Sequence, residues 1–122
     1  MKRDWDIIRE VLLEVEALSS SDGSRAIYGF GDEHFPGEAV KSAHALLLWK
    51  AGYLSGIDAS TLGGQAMISP DLTWEGHELL DTLRSKPVWE RIKALASDKG
   101  LELTLDAVKL LGKSAFEAMI NS

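Results

Sequence analysis

The sequence predicts a mainly helical α+β domain carrying one small antiparallel β-hairpin. Three observations predict it. Apolar residues recur at helical spacing through five separate stretches. Two short β-prone runs, 53–58 and 66–70, flank a turn-rich segment that contains Gly63-Gly64. Helix-start and helix-stop residues stand at the edges of the helical stretches.

The first helix reads over 4–18. Trp5, Ile8, Leu12 and Val15 follow one buried stripe, while Arg9, Glu10, Glu14 and Glu16 lie largely off it. Asp4 is the expected N-cap, and the turn residues of 19–23 stop the helix. A brief strand follows over 25–30. Pro36 and Gly37 open a second helix over about 38–51, with Val40, Ala43, Leu47 and Ala51 at helical spacing and Gly52 in the C-cap position. Leu48 and Trp49 widen that stripe, so burial is expected on more than one side. Trp49 is the expected exception, a contact-surface candidate, because 46–49 covers too much of the circumference to be wholly buried.

The β-prone runs form a hairpin with a tip at 59–65. Thr73 then caps a helix through Arg84, with Trp74, Leu80 and Leu83 expected to face inward. Ser85 caps the next helix over about 86–98, where Pro87 is tolerated in the first turn and Val88, Ile92, Leu95 and Ala96 form the stripe. Lys99 and Gly100 close it. Thr104 caps the last helix, with Leu105, Val108, Leu111, Ala115 and Met119 inward. No repeat or Pro-rich linker interrupts the chain, so a single domain over 1–122 is expected: a core of 1–84 with a helical extension, 85–122, packed on it.

Helix, short strand, helix ending in Ala51-Gly52-Tyr53-Leu54, hairpin, then Leu72-Thr73-x-x-Gly76 opening another helix: this order is that of a winged-helix-like domain with a β-hairpin wing and two extra C-terminal helices. Gly52 lets the second helix turn sharply into the wing, Leu54 buries under the hairpin, Thr73 caps, and Gly76 permits close packing against the wing.

Three blocks carry a more specific resemblance. They are Met1-Lys2-Arg3-Asp4-Trp5-Asp6-Ile7-Ile8-Arg9, then His44-Ala45-Leu46-Leu47 before Ala51-Gly52-Tyr53-Leu54, then Leu72-Thr73-Trp74-Glu75-Gly76-His77-Glu78-Leu79-Leu80-Asp81 followed by Val88-Trp89. In these the chain resembles the bacterial and phage-associated family known as domain of unknown function 2513, over residues 1–90. The block around Trp74 and His77 is the most specific. The family pattern that the resemblance implies usually has an aromatic residue before the histidine of the second helix, where this chain has Ala43. The resemblance implies the fold and brings no assigned activity.

Composition narrows the function classes. The chain has 122 residues, 45% hydrophobic and 26% charged, as expected of a globular domain. There is no Cys, which excludes disulfides, thiolate metal sites and Cys nucleophiles. The charged amino terminus is unlike a signal peptide, and no apolar run approaches the roughly 20 residues of a membrane span. A cytoplasmic protein that does not contact membrane is expected. The net charge is −6, and no segment is a basic patch; residues 53–85 carry one basic and five acidic groups.

His34, His44 and His77 invite a metal reading, but Glu75 and His77 stand two apart on different sides of a helix, and His77 with Asp81 suits a hydrogen bond equally. Neither Ser42 with His44 nor Ser69 with His77 sits in a nucleophile motif. The segment 29–31 lacks the third dinucleotide-loop glycine, and Gly63-Gly64 lacks the P-loop lysine. The expectation is no enzyme, no cofactor and no metal. His44 and His77 read first as partly buried histidines holding backbone or acid groups, and second as members of a shared surface.

Two functions stand. The first, placed ahead by analogy of fold alone, is a DNA-binding transcriptional regulator whose second helix enters the major groove of double-stranded DNA while the wing touches the backbone. Its contact candidates are Arg25, Lys41, His44, Trp49 and Lys50. The second is a protein-interaction or adaptor module on the same scaffold that does not bind DNA, with a homodimer through the C-terminal helices as one form of it. Gly52, Thr73, Trp74, Gly76 and His77 form the structural motif under both.

Overall fold

The structure, a computed structural model, describes residues 2–19, 27–29, 39–62 and 64–120. Its elements in chain order are α1 (Trp5–Ser19), β1 (Ile27–Gly29), α2 (Ala39–Lys50), β2 (Leu54–Asp58), β3 (Ala66–Leu72), α3 (Trp74–Leu83), α4 (Lys86–Asp98) and α5 (Leu105–Ile120). The fold is mainly helical with one antiparallel sheet, the α+β class that the sequence predicts. The chain divides into two compact units, Met1–His77 and Glu78–Ser122, so the division falls inside α3.

In the first unit, α1 forms where its stripe demands it. Trp5, Ile8, Leu12 and Val15 are all buried, and Val11 completes the face. Asp4 caps it: Oδ1 accepts the Asp6 N–H at 2.9 Å and the Ile7 N–H at 3.4 Å. The guanidinium of Arg3 lies 5.2 Å from the Trp5 ring centroid. Both α2 and β3 pack on α1.

The sheet has strand order β1-β3-β2, antiparallel throughout. Ile27 pairs with Ile68 on one side of β3, and Leu54 with Leu72 on the other. Leu54, Met67 and Leu72 are buried and anchor the sheet. The sequence reading ends the second hairpin strand at Pro70, whereas β3 continues to Leu72. Proline has no N–H to give a ladder, but here the register shifts between Ser55 and Ile57, and the β1 pairing ends at Ile68. The strand passes Pro70 where the ladder is already broken.

In the second unit, α4 begins where the sequence places it. Ser85 is the N-cap, its Oγ accepting the Val88 N–H at 3.4 Å, with Pro87 in the first turn. Lys99 is the C-cap. Val88, Trp89, Ile92 and Ala96 are buried, and the Lys93 ammonium stands 5.5 Å from the Trp89 centroid. Thr104 caps α5, accepting the Ala107 N–H at 3.1 Å, and Val108, Leu111 and Ala115 are buried as α5 packs on α4. Leu95 and Leu105, expected inward, are half-exposed, and the Met119 side chain lies outside the described residues. No helix among the described residues is long and apolar enough to cross a membrane.

Candidate docking site

The junction between α2, the hairpin and α3 is built by the most specific sequence block. Helix α2 ends at a Gly52 with φ +90°, a left-handed conformation that glycine adopts without cost, and the chain turns into β2. Thr73 then ties that turn to the next helix. Its Oγ1 donates to the Gly52 carbonyl at 2.6 Å and accepts the Gly76 N–H at 3.1 Å, while its N–H donates to the Tyr53 carbonyl at 3.2 Å. Gly76 is buried so closely against this turn that a Cβ would run into the Tyr53 carbonyl oxygen. The first turn of α3, capped by Thr73, is therefore fixed against the end of α2 by two hydrogen bonds and one close backbone approach.

What that fixed turn presents is unexpected. Trp74, read from the sequence as facing inward, is 76% exposed. The buried stripe of α3 is Gly76, Leu79, Leu80 and Leu83, the i, i+3, i+4, i+7 set of one helix face. Trp74 stands nine positions before Leu83, about half a turn out of phase at about 100° per residue, so it projects away from that stripe. Glu75 and His77 are exposed beside it. His77 uses its backbone N–H to bond the Thr73 carbonyl at 2.9 Å.

Helix α2 differs in the opposite sense. The sequence places His44 among exposed contact residues, and the structure buries it completely. Its Nδ1–H donates to the Val40 carbonyl at 2.7 Å, and its Nε2 accepts the Asp4 N–H at 2.9 Å, which fixes the neutral Nδ1–H tautomer. This is the backbone-holding role that the sequence reading weighs first for it. Ser42, Ala43, His44, Ala45 and Leu46 are all buried, and five consecutive residues span more than a full turn. Val40 and Leu47, expected inward, are 55% and 38% exposed, and Ala51 is exposed. The apolar residues of α2 surround its axis, so their spacing carries no direction.

The remaining candidates separate. The Lys41 ammonium pairs with the Glu14 carboxylate of α1, with the lysine side chain 22% exposed. Lys50 is exposed at the end of α2, and Trp49 is half-buried. Arg25 lies outside the described residues. Among the described residues no group of three or more metal-capable side chains converges. On the hairpin, Ile57 is 58% exposed and Leu62 fully so. Asp58 Oδ1 accepts the Ser60 N–H at 2.9 Å, and Ser60 Oγ accepts the Ala66 N–H at 3.0 Å, which orders the hairpin beside its tip.

The chain belongs to the family described as hypothetical protein (DUF2513), which matches residues 2–102. A protein of Haemophilus influenzae (strain ATCC 51907 / DSM 11121 / KW20 / Rd), described as uncharacterized, is 42% identical over 120 residues, covering 98% of this chain and 99% of its own. No solved structure matches the chain.

Proposed function

We propose that this chain is a non-enzymatic protein-docking domain on a winged-helix-like scaffold, and that Trp74 meets the partner. The exposure of Trp74 on an immobilised helix end carries the reading. A large aromatic on a fixed stretch of backbone brings a large apolar area to an interface, and tryptophan is enriched among residues that dominate binding energy. The winged-helix assignment draws support from the order α1-β1-α2-β2-β3 and the strand order β1-β3-β2.

The DNA-reading alternative draws less support. A helix that reads the major groove needs an exposed face along its length. Here α2 is closed all round over 42–46, and the stripe through Val40, His44 and Leu47 is interrupted by the Asp4 backbone bonded to His44. The wing, 54–72, carries Asp58 and Asp71 and no Lys or Arg. Of the α2 cations, Lys41 already faces Glu14. Proteins that hold duplex DNA commonly make about 6–10 phosphate contacts, and these surfaces supply few.

Fluorescence anisotropy of labelled duplex DNA, titrated with the protein at about 50 mM salt, separates the two readings. No binding is expected. Saturable binding that weakens steeply with salt and is lost in Lys50→Glu, but kept in Trp74→Ala, overturns the proposal.

A further inference from the structure

Within the second unit, α3 and α5 form the walls of an open groove of about 640 Å³. The walls carry opposite charge. Glu78 and Asp81 line the α3 side, where Arg84 at the helix end offsets one of the two negative charges, and Lys109 and Lys113 line the α5 side. Phe116 and Ile120, 57% and 64% exposed, extend the α5 wall as an apolar ridge. Among the described residues neither lysine is in an ion pair, and Asp81 pairs only with Arg84, just past the end of α3, at 3.4 Å. The groove thus keeps its acidic and basic walls beyond contact with each other inside one molecule.

We propose that the occupant of this groove is a second copy of the chain, docked about a two-fold axis. Such an interface is self-complementary: whatever one wall offers, the partner's opposite wall receives, and the reverse holds across the axis. A surface of one charge would repel its own copy, whereas a groove with one acidic and one basic wall attracts it. The two-fold arrangement sets Lys109 and Lys113 of each copy against Glu78 and Asp81 of the other, and seats each Phe116–Ile120 ridge in the facing groove. Burial of two exposed apolar side chains per copy supplies the non-directional part of the attraction, and the four charges fix the register. This inference is independent of what Trp74 binds, since it concerns only residues beyond His77.

Sedimentation velocity on the full chain tests it, over a range of concentration and salt. The intact protein is expected to dimerise, with weaker association as salt rises. Lys109→Glu with Lys113→Glu is expected to weaken the dimer at least about tenfold, and Glu78→Lys with Asp81→Lys to do the same. All four are exposed, and circular dichroism establishes that each variant is folded. Combining both reversals restores opposite walls and is expected to recover the dimer. A folded protein that stays monomeric at high micromolar concentration overturns the proposal. So does a dimer indifferent to both reversals, or one that the combined variant fails to recover; the groove then faces some other occupant, such as a peptide.

Discussion

The imidazole of His44, in the middle of α2, accepts the backbone N–H of Asp4, forty positions earlier, at 2.9 Å. Asp4 in turn caps α1 with its carboxylate. One residue therefore joins the start of the first helix to the buried turn of the second, and both links use backbone groups that would otherwise be without partners.

Removing the imidazole leaves the Asp4 N–H without its acceptor and opens a cavity at a fully buried position. His44→Ala is expected to lower stability by about 2–4 kcal/mol, read from the urea midpoint. His44→Gln, whose Oε1 reaches toward the Nε2 position, is expected to lose less. Equal losses in the two variants would show that the Asp4 bond contributes nothing beyond volume.

Gly76→Ala places a methyl group against the Tyr53 carbonyl oxygen, a backbone atom that cannot rotate away. The turn between α2 and β2 must shift, and a loss of about 3 kcal/mol or more is expected. A thermal melt unchanged from the parent would contradict the close approach.

Thr73→Ala removes the cap of α3 and the bond to the Gly52 carbonyl together. The expected cost is about 1–2 kcal/mol, with Thr73→Ser recovering most of it because the hydroxyl is kept. Chemical denaturation of the three proteins distinguishes this from a role for the methyl group, in which serine would behave as alanine does.

At the hairpin tip, the Ser60 side chain and then its N–H hold the Asp58 carboxyl below the usual carboxylate range. A depressed value means that the ordering contributed by this turn is present above the ordinary carboxylate pKa and is lost as pH falls through the lower, folded value. In an NMR titration the Ser60 amide is expected to move with a midpoint below that of Asp in an unstructured peptide, and Asp58→Asn is expected to abolish the movement. A midpoint at or above the peptide value contradicts the assignment.

Much of this arrangement is legible in the sequence because it follows from local chemistry. Ser85, Thr104 and Thr73 announce their helices, Gly52 its turn, and the Trp5–Ile8–Leu12–Val15 stripe its buried face. Trp74 was legible too: Gly76, Leu79, Leu80 and Leu83 already form a complete stripe, and a tryptophan half a turn away has no place in it. A prior that large aromatics lie inside obscures this phase. His44 was legible only in part. Its burial depends on Asp4, far off in sequence, and α2 is apolar around its whole axis, so no periodicity there distinguishes a covered face from an open one. The opposed charges of α3 and α5 likewise stand on two sides of a groove, not along one segment.

Trp74→Ala is expected to leave stability within about 0.5 kcal/mol of the parent, since an exposed ring contributes little to folding. A larger loss would mean that the ring packs rather than docks.

The most direct measurement replaces Trp74 with a photo-crosslinking amino acid in the producing cell, beside the same replacement at exposed Glu90. Irradiation is expected to yield a discrete adduct at position 74, absent at 90, that protease destroys and nuclease leaves intact. An adduct shortened by nuclease, or no adduct beyond that seen at 90, would contradict protein docking through this helix end.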